Sequence, residues 1–89
     1  MDTMENSENS ENLFAALVYS LYMTAMQQLG AVANPMSGHK ECDLIQAKIS
    51  IEMIDMLAAK TVGHLSEYEA DFIRKSIEQL HQLFDQASP

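Results

Sequence analysis

Leu13-Phe-Ala-Ala-Leu-Val-Tyr-Ser-Leu-Tyr-Met-Thr-Ala-Met-Gln-Gln-Leu29 contains no charged residue, and none occurs between Glu11 and Lys40. The run is too long for one strand, and its polar residues recur at helical spacing. On a helical wheel Ser20, Thr24, Gln27 and Gln28 gather on one narrow side. The opposite arc holds Leu21, Phe14, Ala25, Val18, Leu29, Tyr22, Met26, Tyr19 and Met23. It covers about 200°, wider than the stripe by which a surface helix meets one core. Asn12 is placed to cap this helix and Gly30 to end it. The four polar residues read as a solvated strip, with a polar network between helices as the alternative.

Two further helices follow. Asn34-Pro35-Met36-Ser37-Gly38 has turn chemistry, because Asn can cap a turn, Pro fixes φ and Gly permits positive φ. The second helix is expected from about Asp43 to Val62, capped by Asp43 and stopped by Gly63. Leu44, Ala47, Ile51, Ile54, Ala58 and Thr61 give it one apolar side, and Ile45, Ile49, Met53, Met56 and Leu57 a second. Lys48, Glu52, Asp55 and Ala59 mark its solvent stripe, with Lys48 and Glu52 at i,i+4. The third helix starts at Ser66-Glu67-Tyr68-Glu69, a capping box with Ser at the N-cap and Glu at N3. Its apolar face is Phe72, Ile73, Ile77, Leu80, Leu83 and Phe84, and Asp71–Lys75 and Arg74–Glu78 are i,i+4 pairs on the other side. The short link between Gly63 and Leu65 predicts antiparallel second and third helices.

The expected fold is therefore all-α: a three-helix hairpin or bundle over residues 12–89, preceded by an acidic tail over residues 1–11. The tail repeats Glu-Asn-Ser and has nothing apolar after Met4, so it reads as disordered. The helices carry more apolar surface than three short elements can hide from each other. An oligomer is expected, with a two-fold dimer as the simplest form. The suspected interface is the flank of the first helix bearing Tyr19, Tyr22, Met23 and Met26. Phe14, Val18, Leu21 and Ala25 would then face the intrachain core, although the wheel alone leaves the assignment of the two flanks reversible.

Charge and composition narrow the function. The 89-residue chain has net charge −8, from thirteen acids against Lys40, Lys48, Lys60, Arg74, Lys75 and neutral histidines. Four of the acids lie in the tail, and the remaining nine still outnumber the bases. Nucleic acid and anionic membranes require clustered Lys and Arg, and only Arg74 and Lys75 adjoin. The fourteen residues from Leu13 to Met26 fall short of the roughly 20 needed to span a bilayer. Cys42 is the only cysteine, which excludes an internal disulfide and fits a reducing, cytoplasmic compartment. The N-terminus has acids where a secretory signal has bases.

Phe14 to Gly30 followed by Asn34-Pro35-Met36-Ser37-Gly38 resembles the opening of the bacterial domain-of-unknown-function family 1844. Lys60-Thr61-Val62-Gly63-His64-Leu65-Ser66, with acids after it, is similar to that family's second half. The resemblance covers about Leu13 to Phe84, and the Gln-Leu-Gly and Asn-Pro-x-Ser-Gly segments are its most specific parts. The region of the third helix is less densely acidic than the family pattern. The resemblance implies small cytoplasmic bacterial proteins made of helices, and it carries no catalytic residue over to this chain.

His39, Glu41, Cys42 and Asp43 are the one concentration of reactive side chains. His-x-x-Cys offers two of the usual four zinc ligands, and His64 and His81 lie elsewhere in the chain, so a solvated loop is the simpler reading. No Gly-rich phosphate loop or nucleophilic triad is present, and no cofactor, metal or catalytic residue is expected. The expectation is a non-catalytic, self-associating interaction module or adaptor. Its expected partner is a second copy or another protein. The alternative is a binder of small apolar ligands or lipid tails using the surface of the first helix.

Overall fold

A computed structural model describes residues 7–89 and contains three helices, α1 (Ser7–Gln28), α2 (Leu44–Thr61) and α3 (Glu67–Ala87). Among the described residues there is no strand. All three pairs of helices pack on one another. The Cα extents are 46 × 26 × 16 Å. A thickness of 16 Å admits two layers of helix and no more. In so thin a body no helix can be enclosed on all sides.

The capping signals fix α2 and α3. The Asp43 carboxylate accepts from the Gln46 backbone N–H at 3.1 Å, making Asp43 the N-cap of α2. The Ser66 hydroxyl accepts from the Glu69 N–H at 3.1 Å, and the Glu69 carboxylate accepts from the Ser66 N–H at 2.8 Å. Both halves of the capping box are thus present, and Glu69 is buried in making it. At the end of α1, Gly30 sits at φ +77°, and the Ala31 and Gly30 N–H groups donate to the Met26 and Gln27 carbonyls. This is a Schellman ending, and it needs the positive φ that glycine adopts without strain.

The beginning of α1 differs from the sequence reading. The helix starts at Ser7 and takes in residues 7–11, which the tail reading had left out, so Asn12 is an interior residue and not the cap. The reading asked whether those residues could bury apolar surface. That criterion governs docking and not propagation: once a packed helix exists, extending it costs little per residue. The disorder expected over residues 1–6 lies outside the described residues.

The connection from α1 to α2 is tied at both ends. The Asn34 side chain accepts from the Met36 N–H at 2.8 Å, and its backbone N–H donates to the His39 carbonyl at 2.8 Å. The Asp43 N–H then returns to the Gln28 carbonyl at 2.7 Å, seating the start of α2 beside the end of α1.

The buried apolar side chains among the described residues come from all three helices and the turn after α1: Val18, Ala25, Leu29, Ala47, Ile51, Ile54, Ile73 and Leu80. Phe14, Leu21, Phe72, Ile77, Leu83 and Phe84 close around them. The first apolar side of α2 is therefore the core side, as its spacing predicts. Polar side-chain contacts also join the helices, among them Tyr22 to Gln79. The Ser50 hydroxyl, buried on α2, donates to Gln28 Oε1 at 2.6 Å, and Asp55 meets His81 Nε2 at 2.9 Å.

Candidate interaction surface

The wide apolar arc of α1 divides in the structure. Val18 and Ala25 are fully buried, with Phe14 and Leu21 packed against the core. Of the other four residues, Tyr22 and Met26 also pack partly against the core, Met23 is half-buried, and Tyr19 is exposed. The Tyr22 hydroxyl donates to Gln79 Oε1 of α3 at 2.7 Å. Its ring lies 6.2 Å from that of Tyr19, centroid to centroid. Burial first and Tyr19 second push the Tyr22 phenol above its ordinary pKa. The four residues thus do not form one open patch: Tyr22 and Met26 dip inward, and Tyr19 stands out. Leu13 and Leu17, exposed on the other side of α1, were not singled out by the sequence.

Among the described residues, the longest row of exposed large apolar side chains is on α2. Ile45, Ile49, Met53 and Met56 recur at i,i+4,i+8,i+11, which places them along one line of the helix. Each is between 41% and 76% exposed. They are the second apolar side visible in the sequence, and only Leu57 of that side is drawn into the core packing. Lys48 and Glu52 border the line on one side, and Lys60 lies at its C-terminal end. All three are exposed, and none holds an ion pair among the described residues. The i,i+4 contact expected between Lys48 and Glu52 is therefore open.

On α3 the expected pairs do form. Lys75 meets Asp71 at 3.0 Å, and Arg74 meets Glu78 at 3.2 Å and also Asp71. The Lys75 and Arg74 hydrogen bonds, in that order, lower the Asp71 pKa, and Asp71 and then Glu78 raise that of Arg74. These groups are in water, so the network is a solvated face.

The His39–Asp43 stretch has structural tasks. Glu41 accepts from the Ser37 hydroxyl at 3.0 Å, the His39 N–H donates to Ser37 Oγ at 3.2 Å, and Asp43 caps α2. Cys42 is exposed. Glu41 and Asp43 join Thr24, Gln27, Gln28, Asn34 and Gln46 around a polar recess of about 230 Å³. Of the four-residue polar strip on α1, Gln28 makes the interhelical bond to Ser50, whereas Thr24 donates back to its own helix at Ser20. Gln28 thus reaches across to α2, whereas Ser20 and Thr24 are exposed. Among the described residues, no three His, Cys, Asp or Glu side chains converge as a metal would require. No helix among them is long and apolar enough to cross a membrane.

Comparison with curated proteins and with solved structures gives no match. A family model does match, over residues 11–86, which is nearly the whole chain and includes the turn and capping segments described above. The chain belongs to the family described as a domain of unknown function, DUF1844.

Proposed function

We propose that this chain is a non-catalytic interaction module that self-associates, with adaptor capacity through whatever surface the self-association leaves free. The observation that carries the reading is the second side of α2. Ile45, Ile49, Met53 and Met56 remain in water after all three helices have packed. Leaving such side chains uncovered forgoes about 1 kcal/mol or more for each, given their partial exposure. Association recovers that burial. Tyr19 on α1 is a smaller second face of the same kind. The single exposed thiol, Cys42, supports a reducing cytoplasmic setting.

The test is sedimentation velocity with light scattering, from low micromolar to tens of micromolar protein. A mass per particle above that of one 10.0 kDa chain, rising with concentration, is the expected result. A single-chain mass throughout that range overturns the reading. A binder of small apolar ligands is the second reading. One observation favours it: a surface groove of about 380 Å³ between α2 and α3, lined by Ala58, Val62, Leu65, Ile73 and Ile77. That groove is at the α2–α3 turn and not on α1. Added mass in native spectrometry of protein purified from cells would favour this second reading.

A further inference from the structure

The proposed self-association can be taken to a specific partner surface and register, resting on that reading. The relevant features lie on the outward side of α2. Its apolar line runs from Ile45 to Met56, about 16 Å at the rise of an α-helix. Ile45 and Met56 are equidistant from a point between Ser50 and Ile51, and Ile49 and Met53 are equidistant from Ile51. Lys48 and Glu52, both exposed and both without an ion pair among the described residues, are equidistant from Ser50. All three centres fall within one residue of each other along the helix.

We propose that two copies pair through α2, antiparallel, about a two-fold axis at that common centre. Ile45 then meets the partner's Met56, and Ile49 meets the partner's Met53. Lys48 lies against the partner's Glu52. A two-fold interface requires that each contact occur twice, with the same patch on both copies, and this pattern supplies it. Charge selects the direction. Antiparallel pairing brings the charged edges of the two copies together and sets each residue against its opposite, whereas parallel pairing leaves the two edges on opposite sides of the seam, where they do not meet. Antiparallel alignment also opposes the two helix dipoles favourably.

Charge also favours a second copy over an unrelated surface of the chain. The protein is at −8 overall, so most approaches between copies are repulsive. The outward side of α2 bears Lys48 and Lys60 against Glu52, so it is the part of the molecule where that repulsion is relieved. One helix face per copy falls at the small end of the size range for stable dimers, so dissociation on dilution is expected.

Two experiments test the arrangement on the full chain. In the first, cysteines are placed singly in a Cys42→Ser background, and a tagged chain carrying Ile45→Cys is oxidised with an untagged chain carrying Met56→Cys. The expected product is the mixed disulfide, in excess over either homodimer. Preferential Ile45→Cys homodimers would mean parallel pairing and overturn the register. In the second, Lys48→Glu and Glu52→Lys are each expected to weaken the dimer roughly three- to tenfold, and the double swap to restore it. These residues are exposed, so circular dichroism should be unchanged in every variant.

The failures are separable. A wild type that is monomeric at tens of micromolar overturns both this inference and the function it rests on. A dimer insensitive to Ile49→Glu and to the charge swaps, but split by Tyr19→Glu, overturns only the α2 arrangement.

Discussion

Replacing Ser66 with alanine removes one half of the capping box and nothing else of consequence. The hydroxyl accepts from the Glu69 N–H at 3.1 Å, one of the first backbone donors of α3, which lack partners within the helix. Loss of an N-cap hydroxyl costs about 1 kcal/mol. The other half remains, because the Glu69 carboxylate still accepts from the Ser66 N–H at 2.8 Å. Glu69→Gln keeps an acceptor and should cost less than Ser66→Ala, whereas Glu69→Ala removes the acceptor. Because the two bonds fix the same turn, the double variant Ser66→Ala, Glu69→Ala should be less destabilised than the sum of its parts. For a domain of this size, 1 kcal/mol corresponds to a fall of about 4–8 °C in Tm. The assay is urea unfolding followed by far-ultraviolet circular dichroism, with all variants at one protein concentration so that self-association does not differ between them. The midpoint should fall with an unchanged slope. A Ser66→Ala midpoint equal to wild type would refute the reasoning, and α3 would then start elsewhere in solution.

Two other outcomes are expected. Ile54 is completely buried among the three helices, so Ile54→Ala should cost about 2–5 kcal/mol, a large part of the stability of a small domain, and a melt within a few degrees of wild type would refute that placement. Tyr22 titrates above its ordinary value because it is partly buried and beside Tyr19. Its contribution to stability is fully present below the unfolded value of 10.0 and is lost as pH rises through the higher folded value. An ultraviolet titration should therefore show one of the three tyrosines ionising late, and Tyr22→Phe should abolish that phase and soften the alkaline loss of stability. Three tyrosines ionising together would contradict it.

The parts of the fold that local chemistry determines were legible in the sequence. Asp43, Ser66 with Glu69, Gly30 and the Asn34–Gly38 turn each act within a few residues, and each does what its type and spacing predict. The two apolar sides of α2 were legible for the same reason. What could not be read was how the helices turn toward one another. The arc of α1 is apolar over so much of its circumference that a wheel cannot decide how far Tyr22 and Met26 roll inward. Their burial follows from the position of α3, reported by the bond from Tyr22 to Gln79. Ser50 likewise gave no sign of its role, since a serine among apolar residues reveals a partner only when the facing helix brings Gln28 to it. The start of α1 was missed because an acidic, Asn- and Ser-rich segment looks the same whether it extends an anchored helix or not.

The latches at the base of the α1–α2 connection bear on how this protein can vary and be altered. The Asp43–Gln28 bond lies outside the loop tip, and Gly30 backs closely onto the returning chain: a Cβ there would stand 3.3 Å from the Glu41 carbonyl oxygen. Alignment of the two helices is set at those points and not by the exposed residues from Pro35 to Lys40. Doubling the length of a flexible loop costs only about 0.6 kcal/mol in closure entropy. Insertion of a short epitope or a fluorophore-binding peptide between Ser37 and Gly38 should therefore leave the helical body intact, whereas a bulkier residue at Gly30 should not. The tip becomes a grafting site, and Gly30 marks the point where tolerance to change ends.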